Sequence, residues 1–179
     1  RITPLKGHMD FIKAVSLLSR IIPQLRAIIV GEAPKEKYKE DLEMLIRRLG
    51  LVNTIKFTPA TYDVPSVMDT LDVLVSATTT PEAFGRVIIE AHASGVPVVT
   101  TKVGGIVDIV EDGKTGLFSA PQNPKDMADK IFKLYKDRDL WRSIAVESRR
   151  SVEASFKLDK MMEKTVAVYE EAMRTLNIL

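Results

Sequence analysis

Five short apolar runs, each set off from the next by a longer stretch with helical spacing, constrain this chain more than any other feature. They are Arg26 to Val30, Thr54 to Phe57, Val73 to Ser76, Val96 to Thr100 and Gly116 to Phe118. Runs this short and apolar throughout suit strands of a parallel sheet covered on both faces. Between them, His8 to Ile22, Lys35 to Leu49, Val64 to Leu71 and Arg86 to Ser94 read as helices. The first places Phe11, Val15, Leu18 and Ile22 on one face and stops at Pro23. The second carries Leu42, Leu45, Ile46 and Leu49 as its stripe and stops at Gly50. After Pro124 the pattern is only helical: Pro124 to Tyr135, Asp139 to Ser155 and Leu158 to Leu176. The last segment repeats Met162, Val166, Tyr169, Met173 and Leu176, which predicts a face packed on the core. The expected class is therefore α/β, a single parallel β-sheet flanked by helices with an all-helical C-terminal segment, in one domain over residues 1–179.

Composition excludes more than it selects. With 45% apolar and 28% charged residues the chain can build and solvate a core, so disorder and a disulfide-stapled scaffold are ruled out. It has no cysteine, which removes disulfides, thiolate metal sites and cysteine nucleophiles. Two histidines argue against a histidine metal cluster. A net charge of +2 is far below that of a dedicated nucleic-acid domain, so no nucleic-acid partner is expected. No apolar run is long enough to cross a bilayer, and no leader-like segment stands at the start. The chain opens on Arg1 rather than Met, which suggests a fragment or a processed piece.

In sheets of this kind ligands bind beyond the carboxyl ends of the strands, so the loops there carry the information. Ahead of the first helix, Arg1 and Lys6 stand five residues apart, with Gly7 at the turn. They could hold a diphosphate together with a helix N-terminus, or be two solvated cations. After the Val73 to Ser76 strand, Thr78 to Arg86 leads into Val87-Ile88-Ile89-Glu90. Glu82 would lie in the loop and Glu90 in the next helix, flanking amides of Phe84, Gly85 and Arg86 that lack intrahelical partners. The apolar neighbours of Glu90 imply a substantially buried helix, where a carboxylate must be bonded or paired. A vicinal diol such as a ribose would satisfy it, and so would a neighbouring N–H or Arg. Val103-Gly104-Gly105-Ile106 could let backbone approach a ligand or make an ordinary turn. Val30-Gly31-Glu32-Ala33 lacks the spacing of a dinucleotide loop. In Asp137-Arg138-Asp139 the acid-x-acid spacing is better read as Asp139 capping a helix than as a metal site. His92 reads as a satisfied core histidine.

Together these stretches resemble the C-terminal half of the retaining glycosyltransferases of family 4, of the two-Rossmann-domain (GT-B) type. The signature runs from Pro81 to Val99, with Glu82 and Glu90 separated by seven residues and followed by Ala91, Gly95 and Pro97-Val98-Val99. It continues through Val103-Gly104-Gly105 and Asp112 to Gly116, and Arg1 to Gly7 resembles the family's Arg-x4-Lys-Gly element. The resemblance implies a single Rossmann-like sheet and a half-site for a nucleotide-diphosphate sugar such as a UDP- or GDP-sugar. Arg1 and Lys6 would bridge the diphosphate and stabilise the leaving phosphate. Glu82 would accept hydrogen bonds from the transferred sugar and Glu90 from the ribose. Amides from Phe84, Gly85, Arg86 and Val87 would complete the cradle, with Gly31, Glu32, Phe57 and Thr58 beside the base. Retention at the anomeric carbon is implied, with no metal and no cofactor apart from the donor substrate. The acceptor, a glycan or lipid, would sit on an N-terminal domain absent from the chain. A cytoplasmic protein is implied, with peripheral contact at the inner membrane face through that absent half.

Three departures qualify the match. Asp108 stands where the family often has Glu. A strand ending in Gly, expected in mid-sheet just before Arg1, is missing. The N-terminal domain is missing too, so this fragment alone should bind donor without completing transfer. Alternatives are a nucleotide-sugar epimerase or glucan phosphorylase of the same architecture, and a non-catalytic nucleotide-sugar-binding module. A phosphorylase would show a cofactor-bearing lysine in a longer C-terminal half, and hydride transfer lacks the G-x-G-x-x-G fingerprint.

Overall fold

The computed structural model describes residues 1–175. A 3-10 turn at Pro4–Lys6 leads into α1 (His8–Ser19). Next come β1 (Ala27–Val30), α2 (Glu36–Arg48), β2 (Ile55–Thr58), α3 (Val64–Met68), β3 (Leu74–Ser76), α4 (Arg86–Ala93) and β4 (Val98–Thr101). A second 3-10 turn at Gly104–Asp108 precedes β5 (Leu117–Ser119), α5 (Pro124–Lys136), α6 (Arg138–Ser155) and α7 (Leu158–Thr175). Every predicted strand and helix is present, with ends displaced by a few residues. The largest strand shift has a simple cause: Pro97 has no N–H to donate, so β4 begins at Val98, while the Pro97 carbonyl still accepts from Leu74 at 3.0 Å.

All strand pairings are parallel. The ladder comes in two pieces, β1-β2 and β3-β4-β5, within a parallel α/β architecture of the expected class. α1 bridges the pieces. Its Ala14 and Leu18 join Val99 and Leu117 in one core cluster, and its Ile12 and Val15 join Ile29 and Ile55 in another. Each buried Leu, Ile or Val among them contributes about 1.5–3 kcal/mol by leaving water, so the helix ties both pieces into one layered architecture.

Local chemistry sets the helix starts. Asp63 accepts from the Ser66 N–H, and Asn123 from the Asp126 N–H, each with proline in the first turn. Asp137, not the expected Asp139, caps α6: its carboxylate accepts from the Leu140 N–H at 2.9 Å, and Asp139 lies exposed in the first turn. The backbone decides this, because Asp137 has extended φ/ψ and Asp139 is already helical. α6 packs on α4, and Trp141 Nε1 donates to the Asp72 carbonyl at 2.7 Å, fastening the helix to the approach of β3.

The expected core face of α7 is not one. No residue of this helix is buried; Met162, Val166 and Tyr169 are all more than half exposed, and Leu176 lies outside the described residues. Periodicity reports that one face is apolar, and nothing among the described residues covers it.

Candidate functional site

Two groups of predicted residues gather beyond the strand ends. In the first, the N–H of Ile2 donates to the Glu32 carbonyl at 2.8 Å and the Gly31 N–H to the Thr58 carbonyl at 3.0 Å. A Cβ on Gly31 would lie 3.4 Å from the Arg1 nitrogen. Arg1, Gly31, Glu32 and Thr58 are thereby neighbours. Thr58 also offers a buried hydroxyl without a hydrogen-bond partner among the described residues. Phe57 behaves differently, since its ring packs on the core beside β1 and α2.

The second group forms where the Pro4–Lys6 turn meets the loop after β3. Lys6 Nζ lies 2.7 Å from Glu82 Oε1, joining residues 76 positions apart. The turn is held by one carbonyl, that of Leu5, which accepts from Thr79 N–H at 2.9 Å, Thr78 Oγ1 at 3.1 Å and Thr79 Oγ1 at 3.3 Å. Gly7 makes the approach possible: with φ +67°, a Cβ there would fall 1.8 Å from the Ala77 carbonyl oxygen. Neither Thr78 nor Thr79 was expected to have a role, because nothing in a run of threonines tells which distant carbonyl it will meet.

The paired glycines approach protein backbone rather than standing free for a ligand. The Gly105 N–H donates to the Glu82 carbonyl at 2.9 Å, and a Cβ on Gly104 would lie 2.6 Å from the Glu82 nitrogen. They lock the main chain that carries the acid. Oε2 of Glu82 is buried and has no hydrogen-bond partner among the described residues.

α4 opens at Arg86 behind Gly85, whose φ of +61° is left-handed, and the Ile88 N–H closes onto the Gly85 carbonyl at 2.9 Å. The amides of Arg86 and Val87 therefore start the helix, and they give that end a partial positive charge. Phe84 precedes the first turn instead of belonging to it. Its ring is 55% exposed and meets Phe156 edge to face at 6.3 Å between centroids. Val87 turns its side chain to the core, leaving only its amide for a ligand.

Glu90 was expected in a buried helix, but its side chain is one-third exposed and sits 3.4 Å from Arg86 one turn earlier. This is the Arg pairing that the spacing left open, and its geometry is loose. The two acids are thus each paired with a different cation. His92 is fully buried as expected but not satisfied: among the described residues neither ring nitrogen has a hydrogen-bond partner. Burial lowers its pKa to about 4, against a weaker opposing pull from the Thr115 backbone, so the ring is neutral near pH 7. Burial lowers the pKa of His8 as well, while its Nδ1 lies 3.2 Å from the Thr3 carbonyl.

Among the described residues, no group of three or more His, Asp or Glu could hold a metal ion, and no helix is long and apolar enough to cross a membrane. What the site does offer is a lysine, a carboxylate with one unused oxygen and helix-start amides. Such a set can bind an anion and hydroxyl groups side by side.

Known proteins resemble this chain in sequence and fold. The family model for glycosyl transferases group 1 matches residues 1–151. A D-inositol 3-phosphate glycosyltransferase of Streptomyces bingchenggensis is 35% identical, over 97% of this chain and 40% of that protein. The lipopolysaccharide core mannosyltransferase LpsB of Rhizobium meliloti is 30% identical, over 97% of this chain and 50% of its own. Among solved structures, Anabaena HepE in complex with UDP-glucose superposes with a TM-score of 0.82 at 34% identity, covering all of this chain and 47% of that one. The C-terminal domain of the Francisella tularensis protein LpcC gives 0.81 at 31% identity, covering 88% of this chain and 83% of that one. The chain spans about half the length of the curated relatives it matches. With the family model matched over most of its length, this chain belongs to the group 1 glycosyltransferases.

Proposed function

We propose that residues 1–179 are the donor-binding half of a retaining, GT-B-type glycosyltransferase of family 4, working with an N-terminal acceptor domain and a further central strand outside this chain. The donor is a nucleotide-diphosphate sugar, of UDP or GDP, and the acceptor a glycan or lipid. The observation that carries this reading is the meeting of Lys6 and Glu82 beside the amides that open α4. The family match and the likeness to a UDP-glucose complex support it.

As the bond between the anomeric carbon and the donor phosphate breaks, negative charge grows on the departing diphosphate. Lys6, Arg1 and the amides of Gly85, Arg86 and Val87 stabilise that charge, which is the work a metal does in other transferases. Glu82 accepts from sugar hydroxyls and fixes the anomeric carbon relative to the acceptor. Glu90, lightly held by Arg86, turns to the ribose diol. Gly31, Glu32 and Thr58 border the base. The reading takes in no resident metal or cofactor and a cytoplasmic protein, whose contact with a membrane, if it makes one, runs through the half outside this chain.

Calorimetric titration with UDP, GDP and their 2′-deoxy analogues tests the assignment. We expect the ribonucleotide to bind more tightly than its deoxy form, with the difference lost in Glu90→Gln. No heat with any nucleotide at millimolar concentration would remove the donor-site reading.

A further inference from the structure

We propose that the Lys6–Glu82 ion pair lets this site tell a loaded donor from a spent nucleoside diphosphate, by an exchange of Lys6 between carboxylate and phosphate. This rests on the donor-site reading above and adds a selectivity to it.

The exchange follows from what is fixed and what is free. The main chain under Lys6 is held by three donors on the Leu5 carbonyl. The main chain of Glu82 is pinned by Gly104 and Gly105. Neither backbone can retreat, so only the side chains can change partners. The lysine side chain is 40% exposed and flexible, and its ammonium is a compact charge that a phosphate can recruit. The carboxylate is the less free member, at 22% exposure, with one oxygen on Lys6 and the other buried and unbonded.

A nucleoside diphosphate that draws Lys6 away leaves Glu82 with two unbonded oxygens and an uncompensated charge near the incoming anion. Burying a carboxylate in that state is costly. A donor that still carries its sugar brings hydroxyls for both oxygens and offsets the loss. The loaded donor therefore gains from the exchange, and the spent one is penalised by it. After transfer the sugar leaves with the acceptor, Glu82 recovers Lys6, and the diphosphate loses its cation. No covalent bond changes in this exchange; the pair acts by favouring release of the spent nucleotide.

The test is a double-mutant cycle read by calorimetry with UDP and GDP alone, on the parent, Glu82→Gln, Lys6→Ala and the double variant. Removing the competing carboxylate should tighten diphosphate binding about fivefold, the scale of a part-exposed ion pair near 1 kcal/mol. Lys6→Ala should weaken binding, and in that background Glu82→Gln should tighten it by clearly less than fivefold, since only the direct repulsion between carboxylate and diphosphate is left to relieve. Tightening cannot come from a misfolded chain, and Glu82→Asn repeats the measurement should the first variant melt early. Unchanged or weaker binding in both carboxamide variants overturns the exchange, as does tightening that is as large without Lys6 as with it. A parent that binds neither nucleotide overturns the donor-site reading and the exchange with it.

Discussion

The loop that carries Glu82 and the helix α7 are opposites in how they satisfy themselves. In the loop, a handful of residues from three distant parts of the chain close every approach: Gly7 under Ala77, Thr78 and Thr79 on Leu5, Gly104 and Gly105 against Glu82. In α7 an equally regular pattern of apolar residues stays bare to water. The difference shows that a glycine with a backbone atom against it is a complete local instruction. An apolar stripe is half of one, since it specifies a covered face and says nothing of the cover.

The contrast breaks most readily at Gly7. Gly7→Ala places a Cβ inside the Ala77 carbonyl and holds alanine at positive φ, so we expect a loss of about 4 kcal/mol or more in chemical denaturation. Gly50→Ala is the control: its φ is also positive but nothing lies within 4 Å, and about 1 kcal/mol should be lost. A similar cost at both positions would mean that backbone conformation, not the close approach, makes Gly7 necessary.

Next in size is acid sensitivity centred on His92, in the last turn of α4 beside Thr115. The unfolded chain takes up this proton near pH 6.5 and the folded chain only near 4. Stability is therefore full above pH 6.5 and falls as pH drops through that window, by about 3 kcal/mol in all. His92→Leu should flatten most of this slope in melts between pH 7 and pH 4, leaving a residue of the same sign from His8. An unchanged slope would place the acid sensitivity elsewhere.

Thr78→Val is smaller. It removes one of three donors on the Leu5 carbonyl, and about 1 kcal/mol should disappear, with nucleotide affinity falling as the Lys6 turn loosens. The smallest effect belongs to α7. Replacing Met162, Val166 and Tyr169 by serine one at a time should shift the stability of this chain by less than about 0.5 kcal/mol each. A loss above about 1 kcal/mol at any of them would show the stripe to be covered, and the comparison with the loop would fail.

Much of the architecture was legible because its signals are local. The order of strands and helices and Gly50 as a stop follow from residue type and spacing, whereas α1 ends at Ser19, short of Pro23, and the meeting of Lys6 with Glu82 was not foreseen. The rest depends on atoms far away in sequence or on dihedral angles. Asp137 and Asp139 have the same side chain, and only the backbone angles of Asp137 make it the cap. Glu90 looked buried because its neighbours are apolar, yet on a helix they point elsewhere, and Arg86 one turn away could reach it. Gly104 and Gly105 announced close approach correctly while leaving open what would come close.

Trp141 is the only tryptophan in the sequence, with its indole N–H on the Asp72 carbonyl and the Arg138 guanidinium 4.8 Å from its ring centre. Nature has thus placed one fluorophore at the seam between the helical C-terminal layer and the sheet. Its emission reports whether that seam is shut, without any label, from the end of the strands opposite the loop that carries Glu82.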